Sequence, residues 1–275
     1  MKKILAMLLC ILSACATNKE IKKEYYDNGN LKSEISLTND TPNGISKFYK
    51  EDGTISMEFP FKDGKFHGTL KSYKNGKLEV ETPYKNGKKD GVFKNYNEEG
   101  NLKEETLYIE DKMVWNKTYY ETGELFSYRD DNIGKIYYTS GQISDEIPLK
   151  DGKKHGVMKL YKPNGKLQKE IYYEKGVKDW QKEYDENGNL IKETNYYDNG
   201  DLWSEGLYKN GKLVSGNFYA GYLISTTFFD ENKEKTKMIM YDKDGTPLSE
   251  TGYKDGEEIY KKKYNKDGNL IKEEK

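Results

Sequence analysis

The residues most open to chemistry are two histidines, since imidazole is the side chain that titrates near neutrality. His67 and His155 are the only histidines among 275 residues. They stand in matching phrases, FKDGKFHGTLKSY at 61–73 and LKDGKKHGVMKLY at 149–161, and a third copy, YKNGKKDGVFKNY at 84–96, has Asp90 in that place. A slot filled elsewhere by Asn43, Asp90 or Asp179 reads as a turn residue, not as a general base. The second candidate is a column of acids: Glu34, Glu58, Glu81, Glu105, Glu146, Glu170, Glu193, Glu205, Glu250 and Glu273. Two carboxylates about 5–10 Å apart can hydrolyse a glycosidic bond. The acid and the base then need different surroundings, and a column with one repeated setting reads instead as a strand position near lysines. The third candidates are aromatic. Trp115 and Trp180 stand where sister phrases have Gly44, Gly68, Gly91 and Gly156, and Trp203, Tyr219 and Tyr222 add further rings. Such rings suit the centre of a protein contact, and packing over a neighbouring hairpin is the alternative. No nucleophile triad, phosphate loop, dinucleotide fingerprint or metal-spaced motif stands in the sequence. The expectation is a non-enzymatic protein with no catalytic residue, metal or cofactor.

The composition narrows what could position these residues. Charged and hydrophobic residues each make up 34%, and tyrosine alone fills 25 positions. Tyrosine suits surfaces that are half dry and half wet, so a thin fold with two wet faces is expected rather than a thick aliphatic core. Lys and Glu are mixed throughout and the net charge is −1, without a basic stripe, so a nucleic-acid partner is not expected.

The N-terminus reads separately. Lys2 and Lys3 precede the apolar run 4–12, which is too short to span a bilayer and fits a secretory signal. It ends in Leu12-Ser13-Ala14-Cys15, which resembles the lipobox of bacterial lipoproteins. The resemblance implies a lipoprotein signal peptide at 1–14, cleavage before Cys15, a thioether lipid on Cys15, and a palmitate-type acyl chain on the new N-terminus. An ordinary signal peptide that contains a cysteine is the alternative. Residues 15–24 would be a lipidated tether. With Cys10 in the signal and Cys15 lipidated, the mature chain keeps no free thiol for a disulfide or a thiolate metal site.

The remainder repeats. A glycine followed two residues later by Leu or Ile recurs at Gly29, Gly53, Gly76, Gly100, Gly123, Gly141, Gly165, Gly188, Gly200, Gly221, Gly245 and Gly268, with Pro247 the one break. Most gaps are 23 or 24 residues, with a half unit at 188–200 and an irregular stretch through 240. Counting from the anchor glycines, the acids of the column fall at +5, a Tyr at −3 or −4 in every unit except that of Gly221, and Gly, Asn or Asp at +11. A Tyr at −4, as in YKEDG, implies one extra residue in a bulged or longer turn. Gly, Asn and Asp tolerate positive φ, so each unit has two turn points. Segments of seven to nine residues between them suit strands, and Asn-Gly and Asp-Gly pairs are hairpin turns. The expected fold is all-β: an elongated antiparallel meander of β-hairpin repeats over 25–275, about twenty strands in about twelve units. Simple alternation puts Glu at +5 on the face opposite Leu at +2.

YKNGKKDG combined with YxNGxLxxE resembles the variant MORN repeat of YwqK-type antitoxin proteins. That resemblance covers nearly all of 25–275 and implies a hairpin array that binds a partner protein, by its name a toxin. The lipobox departs from a cytosolic antitoxin. It implies a place in the cell envelope, anchored to a membrane by Cys15, on the outer membrane if the organism has one, with an immunity or binding role. Glycan or peptidoglycan binding through Tyr and Trp faces is the alternative.

Overall fold

The computed structural model describes residues 18–275; the expected signal segment and Cys15 lie outside the described residues. The described chain is all-β, with 27 strands in antiparallel pairings that follow the order of the chain. Two compact units divide it, the first ending at Met113 and the second beginning at Val114.

The hairpins form where the turn residues predict them. All twelve anchor glycines have positive φ, from +75° at Gly76 to +99° at Gly123. At the other turn point, pairs such as Asp63-Gly64 (50° and 75°) and Asn86-Gly87 (53° and 88°) have both central residues left-handed, the geometry that matches strand twist in a two-residue hairpin. Three +11 residues depart from expectation. Gly134 lies within the strand Ile133–Tyr137, and neither Asn199 nor Asn232 has positive φ. Near Gly134 the reversal is made by Asp130, whose Oδ1 accepts from the amides of Asn132 (2.8 Å) and Ile133 (2.9 Å).

Four of the strands beyond the expected twenty arise where a unit breaks one strand in two. Lys65–Phe66 is followed by Gly68–Lys74, and the same break precedes Gly44, Gly91 and Gly156. The residue in the break donates its amide back across the hairpin, His67 to Pro60 at 3.0 Å and Asp90 to Pro83 at 3.0 Å. The glycine after it has φ between +101° and +124°. At Gly91 an added Cβ would lie 2.9 Å from Pro83.

Simple alternation fails at two recurring places: at +14, where Asp179, Val214 and Ile259 are extra in the pairing and other units have the strand break, and near the anchor turn. Tyr73 pairs with Leu78 and Ser72 with Val80, so Glu79 is extra; Tyr184 pairs with Leu190 and Glu183 with Lys192, so Ile191 is extra. Each unit carries this β-bulge at +3, whichever form its turn takes. One unpaired residue shifts the count by one. Leu at +2 and Glu at +5 therefore share a face with the tyrosine, which corrects the opposite-face expectation.

The half unit has a different consequence. Glu170 stands opposite Lys182, and Lys182 opposite Glu193, so these share a face. In the next pairing Glu205 stands opposite Thr194, while Glu193 stands opposite Gly206. Neighbours on one strand point to opposite faces, so Glu205 lies on the other face from Glu193. Positions +5 and −6 would fall on one residue if the gap from Gly188 to Gly200 were 11; it is 12, and the slip of one exchanges the faces. The later pairings Glu205–Asn217, Asn217–Thr226, Thr226–Ile239, Ile239–Glu250 and Glu250–Lys262 keep the new side.

Candidate binding surface

The glutamate column is a rail of tethered carboxylates. In the first unit Tyr49 donates to Glu34 (3.1 Å), Tyr73 to Glu58 (3.2 Å) and Tyr96 to Glu81 (3.0 Å). In the second unit Tyr161 donates to Glu146 (3.0 Å), Tyr184 to Glu170 (2.7 Å), Tyr208 to Glu193 (3.0 Å), Tyr219 to Glu205 (2.8 Å) and Tyr260 to Glu250 (2.9 Å). Lysines stand on the adjoining strands: Lys23 is 3.0 Å from Glu34 and Lys135 is 3.8 Å from Glu146. Burial, then the hydrogen bond to its glutamate, pushes Tyr96, Tyr208 and Tyr219 up to about 12. Burial opposes ionisation of Glu205, but Lys192 and Tyr219 outweigh it and hold the carboxyl below its ordinary range. Glu34 is held low by Lys23 and Tyr49. Eight acids of the column thus share the same kind of partner, and the rail ties neighbouring strands together.

A second series links units at their turns. Where two tyrosines adjoin, the second donates to a backbone carbonyl of the following unit: Tyr26 to Tyr49 O (2.7 Å) and Tyr138 to Tyr161 O (2.7 Å).

The histidines occupy the strand breaks. His67 Nδ1 lies 3.3 Å from Asn86 Oδ1. The His155 amide donates to Pro148 O at 3.0 Å, and its Nδ1 lies 3.6 Å from Glu174 Oε2 without a hydrogen bond. Each stands three residues past the turn glycine, at the break in the strand. Its amide is bonded within its own unit and its side chain faces the next, so the slot is a strand break and not the turn itself.

The aromatic candidates divide. Trp180 stacks on Tyr172 across the strand pair, centroids 5.8 Å apart and planes 10° apart, with the Lys182 ammonium 5.0 Å from the indole. Trp115 carries Lys117 at 4.7 Å. At the cross-strand position where Trp180 meets Tyr172, Gly68 meets Pro60 and Gly91 meets Pro83, so a small residue faces a proline and a large ring faces a ring. Tyr219 is engaged in the rail, with its hydroxyl on Glu205. Trp203 and Tyr222 are open, 44% and 45% exposed, and Trp203 leans on Tyr197 at 6.3 Å.

The bulge column is the feature that sequence reasoning missed. In the first unit it holds Lys32, Ser56, Glu79 and Lys103; the second begins with Phe126, Ser144 and Gln168, and from the half unit onward it holds Ile191, Trp203, Ile224, Leu248 and Ile271. Its signal, an unbroken apolar run at a fixed offset from the anchor glycine after Gln168, is present in the sequence.

The description "MORN repeat variant" matches residues 21–39, 42–63, 67–86, 89–110, 154–175, 181–196 and 192–210. The chain is a MORN repeat protein. The matched segments of this MORN array are built from the same hairpins as the rest of 18–275. No curated protein matches the sequence. Among solved structures, it is similar at 18% identity to accessory secretory protein 1, 2 and 3 in Streptococcus pneumoniae, over 41% of this chain and 19% of that one, with a TM-score of 0.19. The TcdB2-TccC3-Cdc42 complex matches at 12% identity over 93% of this chain and 17% of that one, with a TM-score of 0.20. A porin-like protein from Bacteroides uniformis matches at 10% identity over 92% of both chains, with a TM-score of 0.16.

Proposed function

We propose that this MORN array is a non-enzymatic, lipid-anchored protein of the cell envelope that binds a partner protein, in the manner of an antitoxin or immunity protein. The observation that carries the reading is the exposure of large aromatic and aliphatic side chains on a scaffold whose column glutamates are bonded to tyrosines: Trp203 is 44%, Tyr222 45% and Leu248 44% exposed. Exposed apolar groups in such a setting mark contact surfaces, and Trp and Tyr supply much of the energy in them. The anchor rests on the sequence, where Cys15 ends the lipobox-like segment. One acyl chain gives only marginal attachment, and several hold firmly.

The test is a binding titration between the purified chain and the product of the adjacent gene. Saturable binding, weakened at least tenfold by Trp203→Ala or Tyr222→Ala, supports the reading. Retention on insoluble peptidoglycan, competed by soluble glycan fragments and lost with the same substitutions, would instead favour a sugar ligand on the Trp203–Tyr197 rings.

A further inference from the structure

We propose that the bulge column of the second unit docks an amphipathic α-helix with basic flanks, presented by the partner protein. This rests on the protein-binding reading and specifies what is bound and where. The docking part of the column is the four residues after Gly200, namely Trp203, Ile224, Leu248 and Ile271, each at +3 from its anchor glycine. All four lie beyond the half unit, and no further face exchange separates them. Trp203 and Leu248 are each 44% exposed and Ile271 is 64% exposed, while Ile224 is half-buried. A bulge residue is spare in the pairing, so nothing in the ladder calls for an apolar side chain there. The first unit shows this with Lys32, Ser56, Glu79 and Lys103 at the same offset.

Spacing selects the occupant. Column residues recur every second strand, and strands lie about 4.7–4.9 Å apart, which gives a step of about 9.6 Å. Seven residues of α-helix rise about 10.5 Å. A helix laid across the strands would meet each column residue with the same stripe, one apolar side chain in seven. An extended peptide, with side chains on one face about 6.6–6.8 Å apart, would fall out of step.

Charge selects the flank. The anchor turns along this stretch carry Asp185, Glu186, Asp198, Asp201, Asp242, Asp244 and Asp267 against Lys243 and Lys266. Lys162 neutralises Glu186, and the remaining excess is acidic. It favours a helix with Lys or Arg beside its apolar stripe and opposes an anionic bilayer.

The experiment uses fluorescence anisotropy with labelled synthetic helices and the full chain. One peptide has Leu at every seventh position and Lys on both flanks; a second has the same composition scrambled; a third has Glu on the flanks. The proposal expects the first to bind at least tenfold more tightly than the other two. Trp203→Ser/Leu248→Ser should abolish that preference, and Lys32→Ser/Lys103→Ser should leave it intact, with circular dichroism confirming that both variants stay folded. Equal binding of all three peptides, or an unchanged preference in Trp203→Ser/Leu248→Ser, overturns the proposal. Co-sedimentation with phosphatidylglycerol vesicles that is lost in the same double variant would also overturn it, in favour of a lipid surface. If the peptides fail while the adjacent-gene product binds, the helix site falls and the proposed function stands; if both fail, both fall.

Discussion

Removing one hydroxyl from the rail tests its energetics. Tyr184 donates to Glu170 at 2.7 Å, and burial, then this bond, raises the phenol pKa. Tyr184→Phe keeps the ring and deletes the donor, leaving a partly covered carboxylate short of one partner. A hydrogen bond to a charged group contributes about 1.5–3 kcal/mol, and a partly exposed one falls toward the lower end, so the expected loss is about 1–2 kcal/mol. Glu170→Gln should lose part of the same energy. The double variant should then show a coupling of about 0.5–1.5 kcal/mol, as expected for residues in direct contact. Trp180, on the same strand Val177–Tyr184, reports local unfolding once Trp115 and Trp203 are changed to Phe. Urea unfolding of the four proteins completes the cycle, and in a repeat array the transition near Trp180 is the relevant one. Tyr172→Phe is the control, since its bond to Glu174 lies in the open, and little change is expected. A loss below about 0.3 kcal/mol for Tyr184→Phe, or additivity with Glu170→Gln, would refute the view that the rail holds the hairpins together.

Further predictions concern titration, backbone and anchoring. A raised tyrosine pKa favours the fold below the unfolded value near 10, and that contribution fades as pH rises through the folded value. Stability should therefore fall between about pH 10 and about 12, and ultraviolet titration should show a late phase near 12 from tyrosines such as Tyr96, Tyr208 and Tyr219. Gly91→Ala should destabilise by about 1–3 kcal/mol, because φ is +124° and Pro83 would lie 2.9 Å from the new Cβ. Gly134→Ala, with extended backbone and Ile147 at 3.6 Å, should change thermal stability by less than about 1 kcal/mol. Cys15→Ser should release the protein from membranes or leave it unprocessed, read by fractionation and intact mass; processed protein that remains with membranes would refute the lipid anchor.

The sequence carried the fold because its turns need particular residues. Asn86-Gly87 and Gly100 announce left-handed corners, and the corners fix where strands begin. A bulge was legible only as an extra turn residue where Tyr stands at −4; its place at +3 in every unit was hidden because that residue has no fixed type: Lys103, Phe126, Gln168 and Trp203 all occupy it. Without it, alternation separates Leu102 from Glu105, although pairing brings Tyr96 opposite Leu102. The repeated, structural nature of the histidine slot was legible, since Asp90 fills the slot of His67 and makes the same backbone bond; that it is a strand break and not a turn was not. The role of Tyr219 was not legible, because an aromatic in an irregular repeat looks alike whether its hydroxyl meets a partner protein or Glu205.

The register at the bulge is the point from which the shared face of Leu and Glu, the rail and the exposed column all follow. Oxidation of cysteine pairs tests it directly. Lys71 stands opposite Glu81 in the bulged hairpin, whereas an unbulged hairpin would set Lys71 opposite Val80. Lys71→Cys/Glu81→Cys should close a disulfide readily under mild oxidation, and Lys71→Cys/Val80→Cys should not, because those side chains leave opposite faces. Rapid closure of the second pair with failure of the first would contradict the account.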